Sequence, residues 1–485
     1  MTSIRKSLAI SFLDKYCLLV IQFTATMILA RLLTPEEIGI FSVGIVVVNL
    51  VQMIRDFGIS NYLIQEKELT KQKIRSALGI TLITAWSIAV ILLLMKNVIA
   101  EFYAEPGINE VITVLSISLF FIPFNSTVLG LLRRNLNFKR LMVINVCSSL
   151  ANALTAILLA YNGFGFSSLA WASVSSAATT LLVGILLRDS QSEFIPSFKE
   201  LKGILKFGTY STIATSLSEI GQSSADLSIG KNLSMQSLGY YSRGAGVVQL
   251  FNFALTSAVQ PVILPSFSNS IRNGISIKES YLKGIMYFST LAWPFYSLLA
   301  LMPLPIIDIL YGEQWHQASP IVPILCAAFS LQALSVFAYP GLIAMQKIDC
   351  ALKIQFIIQP VRIAATIYAS FYGLEYVAGI QIIYYFLYLI LTHHYLHRLI
   401  SVSLSELMSI TLKNILLTVI CMGPTALCFH LVEDQKSLFM LITTSSVWAI
   451  SFIAALFITK NPIASELKTA VKKILTKFDT KKLKK

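Results

Sequence analysis

The chain has 485 residues, of which 55% are apolar and only 13% charged, and its mean hydropathy is +0.72. A soluble protein would carry about a quarter charged residues, and apolar runs of roughly 20 residues exclude a β-barrel, whose strands are short and alternate. The net charge of +14 does not mark nucleic-acid binding, because the positive residues are dispersed over short loops and a tail, as the positive-inside rule requires of a membrane protein.

Fourteen spans are predicted, over residues 8–30, 38–65, 76–99, 110–132, 141–160, 165–187, 204–230, 236–264, 281–310, 318–345, 352–372, 375–397, 407–431 and 437–459. In lipid each segment must satisfy its own backbone hydrogen bonds, so the spans are helices. The loops on one side, together with the two termini, hold 30 of the 38 lysines and arginines, while the other side holds Arg31, Lys96, Lys231 and Lys436. This asymmetry puts both termini in the cytoplasm. No small-residue cleavage site follows Met1–Ser7, so no removable signal peptide is expected. Cys17, Cys147, Cys326, Cys350, Cys421 and Cys428 lie in spans or inner loops, so no disulfide framework is expected.

The chain repeats itself. Arg31, Leu33, Thr34, Gly39, Ser42 and Gly44 align with Lys231, Leu233, Ser234, Gly239, Ser242 and Gly244. Further on, Gly79 aligns with Gly284, Tyr103 with Tyr311, Gly130-Leu131 with Gly341-Leu342, and Tyr161-Asn162-Gly163 with Phe371-Tyr372-Gly373. Each repeat has an even number of spans, so both enter from the same side, as parallel repeats do. The fold class is therefore an all-α polytopic membrane protein with two pseudo-symmetric six-helix bundles, over 1–190 and 200–400, and an extra helix pair over 405–460. A basic cytoplasmic tail follows over 461–485, with Leu467, Val471, Ile474, Leu475 and Phe478 at helical spacing among lysines. That pattern suits an amphipathic helix on an anionic leaflet; a solvated tail is the competing reading.

Ionisable residues inside spans are costly, about 3 kcal/mol each at mid-bilayer, so they face polar space or one another. Those singled out are Asp14, Lys15, Arg55, Asp56, Glu219, Asp226, Arg243 and Arg362. They sit on polar stripes at helical spacing: Ser11, Lys15, Gln22 and Thr26; Asn49, Gln52, Asp56 and Ser60; Glu219, Gln222, Ser223 and Asp226; Gln355, Gln359, Arg362 and Thr366. Lys15, Arg55, Arg243 and Arg362 spread through the depth of the membrane, and such a ladder suits a multiply anionic cargo, since the arginine fork matches phosphate oxygens. Asp56, Glu219 and Asp226 are candidates to bind a coupling H⁺ or Na⁺. The competing reading of Lys15 and Arg243 is snorkelling to the nearer interface, and that of Arg55 and Asp56 is a structural ion pair.

Other chemistry finds little support. His393, His394 and His397 end the twelfth span, where basic and aromatic anchors are common, so no metal site is assigned. There is no phosphate-binding glycine loop, no nucleophile–base arrangement and no long loop to carry a catalytic domain, so the protein is not read as an enzyme and no cofactor is expected. Prolines crowd the second half (Pro261, Pro265, Pro294, Pro303, Pro305, Pro340 and Pro360), where they kink helices.

The run Ala30-Arg31-Leu32-Leu33-Thr34-Pro35-Glu36-Glu37-Ile38-Gly39, followed by Asp56-Phe57-Gly58-Ile59 and Leu63-Ile64-Gln65, resembles the Wzx-type flippases. These form the polysaccharide-transporter branch of the multidrug/oligosaccharidyl-lipid/polysaccharide (MOP) exporter superfamily. The resemblance implies a secondary transporter of the bacterial inner membrane that moves undecaprenyl-diphosphate-linked oligosaccharide from the cytoplasmic to the periplasmic leaflet by alternating access, for O-antigen, capsule or exopolysaccharide assembly. It implies partners among membrane lipids and the polysaccharide polymerase and export machinery. A lipid II flippase or a multidrug exporter of the same superfamily is the alternative; four buried cations argue against the latter, and a membrane glycosyltransferase or polymerase would need a larger loop than any here.

Overall fold

The computed structural model describes residues 2–56, 63, 66, 68–188, 195–199, 201–274, 276–432, 438–465 and 468. Sixteen α-helices cover most of them: α1 Thr2–Leu32, α2 Pro35–Asp56, α3 Lys71–Tyr103, α4 Gly107–Arg134, α5 Phe138–Tyr161, α6 Ser167–Leu186, α7 Leu201–Asn232, α8 Met235–Arg272, α9 Ile277–Leu301, α10 Pro303–Tyr311, α11 Ile321–Gln332, α12 Ala338–Ala344, α13 Ile348–Ala369, α14 Leu374–Ile400, α15 Leu404–Leu431 and α16 Leu438–Ile458. A 3₁₀ turn, Glu313–Ala318, follows α10. Among the described residues there is no strand. The basic tail lies almost wholly outside them, so the amphipathic-helix expectation for it falls outside as well.

Eleven of these helices are long and apolar enough to cross a membrane. The other three predicted spans correspond to α7 and α8, which carry Glu219, Asp226 and Arg243, and to the stretch α11–α12. Two expected continuous spans are broken. The ninth ends at Leu301 and restarts at Pro303, where a residue without an N–H fits the first turn of a helix. The tenth is interrupted between Gln332 and Ala338 by successive tight turns, Leu334 N–H to the Leu331 carbonyl and Ser335 N–H to the Gln332 carbonyl.

The helices begin where the local chemistry caps them. Thr34 and Glu37 form a reciprocal box: the Thr34 N–H donates to Glu37 Oε2 at 2.7 Å, and the Glu37 N–H to Thr34 Oγ1 at 3.3 Å. The same device starts α15 at Ser403 and Glu406. Each box satisfies backbone donors that the first turn leaves orphaned.

The chain forms two compact units, one of Met1–Arg243, Tyr311–Trp315 and Gln355–Val377, the other of Gly244–Leu310, His316–Ile354 and Ala378–Lys485. In the first, α5 packs on α1 and α6, α4 on α3 and α6, and α2 on α4 and α7. The residues 195–199 lie along the start of α3: the Ser197 N–H donates to the Arg75 carbonyl at 2.9 Å, and Ser76 Oγ to the Lys199 carbonyl at 2.5 Å. Gly79 makes room for this strap, since a Cβ there would stand 2.2 Å from the Ser197 carbonyl oxygen.

In the second unit α15 packs on α16 and α9, and α9 on α11. The seam of α9 and α15 is a buried polar cluster. Asn414 donates to Ser289 Oγ at 2.6 Å and accepts from Thr290 Oγ1 at 3.0 Å, and Asn461 donates to Thr290 Oγ1 at 3.2 Å. Trp448 adds a bond from its indole N–H to the Pro294 carbonyl at 3.1 Å. In lipid, where apolar burial gives helices no mutual attraction, such bonds and close backbone approach hold them together.

The internal repeat is visible in what its glycines touch. Gly44 faces Val111, and its counterpart Gly244 faces Ile321; a Cβ would stand 2.3 Å and 2.6 Å from those side chains. Gly130 likewise faces Leu63, and Gly341 faces Phe267. Each pair lies inside one unit.

Candidate functional site

All seven candidate site residues belong to the first unit. α1 carries Lys15, half-buried and without a hydrogen bond or ion pair among the described residues. Its neighbour Asp14 is engaged: Asn145 Nδ2 on α5 donates to Asp14 Oδ2 at 2.9 Å, while Oδ1 is buried without a partner. Nothing local to Asn145 marks it, because its partner lies 131 residues away. Arg55 and Asp56 end α2; their side chains lie outside what the structure describes, so their ion pair is an open expectation.

α7 carries Glu219, exposed, and Asp226, half-buried, and neither has a hydrogen bond or ion pair among the described residues. α13 lies beside α7. Gln359 Oε1 sits against Gly221, where a Cβ would approach within 1.8 Å, and Asn232 Nδ2 donates to Ser370 Oγ at 2.7 Å. The two contacts are eleven residues apart on both helices, so α7 and α13 run side by side in the same direction. The predicted stripe of α13 is a buried one: Gln359 and Thr366 are fully buried, Arg362 is 8% exposed, and Gln359 Nε2 donates to Gln355 Oε1 at 2.7 Å. Gln359 Oε1 and Thr366 Oγ1 are buried acceptors without partners, a costly condition unless a guest or water supplies donors.

Arg243 stands apart from that stripe. Its guanidinium lies over the rings of Tyr311 at 5.7 Å and Trp315 at 5.6 Å, and its Nε is buried without a hydrogen bond. The rings are a good seat for a cation withdrawn from water. Trp315 is fully buried and donates its indole N–H to the Ala30 carbonyl at 2.7 Å; Gln314 Nε2 reaches the same oxygen at 2.6 Å. Helical periodicity does not mark Gln314 and Trp315, which sit in a 3₁₀ turn. Asp308, within the predicted ninth span, pairs with His316 Nε2 at 2.7 Å and is a further intramembrane carboxylate.

The three histidines do not converge. His393 and His397 have ring centroids 6.0 Å apart, and His397 Nδ1 is 2.9 Å from the Val402 carbonyl. Among the described residues no group of histidines, cysteines and carboxylates could hold a metal ion.

Long apolar helices, an internal repeat and a polar stripe buried within α13 define a polytopic helical membrane protein. The fold is similar to that of the lipid II flippase MurJ in an inward closed conformation, with a TM-score of 0.77 and 12% identity, covering 94% of this chain and all of that one. It is also similar to an inward-facing multidrug resistance MATE family transporter, with a TM-score of 0.63 and 15% identity, covering 81% of this chain and 95% of the other. The family model described as "polysaccharide biosynthesis protein" matches residues 28–320, and the chain belongs to that family. Among relatives, the lipopolysaccharide biosynthesis protein WzxC of Escherichia coli is 22% identical over 330 residues, 67% of each chain. The succinoglycan biosynthesis transport protein ExoT of Rhizobium meliloti is 24% identical over 328 residues, 67% of this chain and 65% of ExoT. The chain thus aligns with about two thirds of the length of these relatives.

Proposed function

We propose that the protein is a flippase that moves undecaprenyl-diphosphate-linked oligosaccharide repeat units from the cytoplasmic to the periplasmic leaflet of a bacterial inner membrane, with both termini cytoplasmic. The observation that carries this reading is the buried polar face of α13, where Arg362 lies between Gln359 and Thr366 along one stripe of a candidate membrane span. Cations inside spans commonly mark substrate paths, and this face suits an anionic cargo. A diphosphate supplies two negative groups that an arginine fork binds in a bidentate manner.

In this reading Lys15 meets the diphosphate first, Arg55 and Arg362 hold it at mid-depth and Arg243 attracts it towards the far side. Polar residues of α1, α7 and α13 hydrate the sugars, and the prenyl tail stays in the bilayer, beside α15 and α16. Alternating access follows from two related repeats, and H⁺ or Na⁺ at Asp56, Glu219 or Asp226 shifts the balance between inward and outward states. Polymerase and export machinery would take the product. The names of the relatives, which concern polysaccharide biosynthesis and transport, support the cargo class.

The test is neutralisation of Arg55 and Arg362 together, with insertion verified by membrane fractionation. Surface polysaccharide should be lost in a strain that depends on this protein. Normal polymer would refute the assigned role. Purified protein in vesicles should flip a prenyl-diphosphate oligosaccharide and leave lipid II in place; the reverse preference would move the assignment to peptidoglycan precursors.

A further inference from the structure

A cavity of about 760 Å³ lies where α3 ends and α4 begins, at the lysine-poor side of the protein, and the transport reading uses none of its residues. Its volume falls within the roughly 300–1,000 Å³ of sites for small organic molecules. The polar lining is Asn97, Glu101, Glu105, Asn109, Glu110 and Thr113, and the buried Ala100 and Val114 add an apolar patch. Bonds among the walls fix their shape. Ala104 makes a left-handed turn after α3, with φ 53°, and the Glu105 N–H donates to the Ala100 carbonyl at 3.0 Å. Glu105 Oε1 accepts from the Gly107 N–H at 3.0 Å, Glu110 accepts from Ser167 Oγ of α6, and Asn109 Nδ2 donates to Asn97 Oδ1 of α3. The cavity is thus preformed, which lowers the cost of ordering a guest.

The groups left over define that guest. The exposed Glu101 side chain makes no hydrogen bond or ion pair among the described residues. The lining holds three carboxylates and no lysine or arginine, and among the described residues no group of carboxylates could hold a metal ion. Amides and carboxylates each offer two polar atoms in one plane, a match for adjacent hydroxyls, while an apolar patch suits the C–H face of a sugar ring. Anionic guests are repelled. The site also reaches water. Lys231 Nζ of α7 donates to the Phe102 carbonyl beside Glu101, and the next residue, Asn232, donates to Ser370 Oγ at the end of α13. There Tyr368, Tyr372 and Tyr376, each more than half exposed, form a row with ring centroids 5.1 and 5.8 Å apart. Such aromatic rows sit at the membrane–water boundary, and the cavity lies at the neighbouring end of α3.

We propose that the cavity between α3 and α4 is a saccharide-binding site, which takes a neutral or amino-bearing pyranose residue on the lysine-poor side and excludes uronic acids and phosphates. Its role rests on the flippase reading: the site holds the sugar end of a cargo whose diphosphate has reached this leaflet. Cations within the spans serve the diphosphate, and amides and carboxylates outside them serve the sugar. The opposite charges of the two places keep the diphosphate from lodging in the cavity. Binding of the sugar itself needs neither lipid nor transport.

The experiment presents the full-length protein in detergent to an array of lipid-free oligosaccharides that are neutral, amino-bearing or rich in uronic acid, and titrates those retained. Neutral or amino-bearing glycans should be retained and uronic-acid glycans should not. Glu101→Gln, isosteric and on the surface, should weaken binding by about fivefold, and Asn97→Ala added to it should bring the loss to about tenfold or more. If no neutral or amino-bearing glycan binds the parent more tightly than the double variant, the proposal is overturned; a preference for uronic acids overturns it too. Calcium chloride and inorganic diphosphate should not compete, and displacement by either would make the cavity an ion site instead. Glycan binding by a parent that exports nothing would count against the flippase reading alone, whereas export without glycan binding would remove this site alone.

Discussion

Gln359 presses its Oε1 into the notch left by Gly221, so that α13 and α7 touch through an amide oxygen and a bare backbone. The same amide is bonded through its nitrogen to Gln355, and Arg362 follows one turn later on the same face. Gly221→Ala should therefore displace Gln359 and disturb the seat of Arg362. The overpacking cost is about 1–3 kcal/mol, read as a lowered Tm in detergent, and surface polysaccharide should fall. Adding Gln359→Ala should recover stability while polymer stays low, because space is restored but the polar face is not.

Arg362 separates a charge role from a fork role. Arg362→Lys keeps the charge and loses bidentate geometry, so it should retain part of the transport, whereas Arg362→Gln should retain none. Equal loss in both would show that the planar fork is required; full activity of the glutamine variant would remove Arg362 from the cargo path. Initial flipping rates in vesicles distinguish these outcomes.

Asn414 holds α15 to α9 through Ser289 and Thr290. Asn414→Ala removes two buried interhelical bonds and should cost about 1–2 kcal/mol, the upper part of the range for such bonds in membranes. Thermal unfolding in detergent measures it. Ser289→Ala in the asparagine variant should add little, because the bond that Ser289 makes to another helix is the one to Asn414.

Gly79→Val should dislodge the strap at Ser197, whose carbonyl leaves no space for a side chain. The strap loses its bonds to Arg75 and Ser76, and its backbone becomes available to protease. Limited proteolysis should cut near residues 195–199 faster in the variant than in the parent, while Ser197→Ala, which keeps the backbone bond to Arg75, should not increase cutting as much.

Much of the architecture was legible in the sequence, because bilayer thickness and backbone satisfaction leave helices as the single solution for long apolar runs. The repeat was legible too: Gly39 and Gly239, Gly44 and Gly244 mark places where a helix neighbour comes too close for a side chain. The polar stripe of α13 followed from helical periodicity alone, and the structure keeps it buried. The broken ninth and tenth spans were not legible as breaks, since hydropathy sums over a window and does not register a turn at Met302 or Ser335.

Composition and spacing by themselves determined that this chain crosses a membrane in two related sets of helices and keeps charge inside them, because hydration free energies act residue by residue. Only the tertiary structure decided that Arg243 rests on Tyr311 and Trp315, that Asn145 meets Asp14 and that one indole caps Ala30. Those pairings join positions 68 to 285 residues apart, and side-chain chemistry becomes specific only when packing has brought such distant segments within a few ångströms.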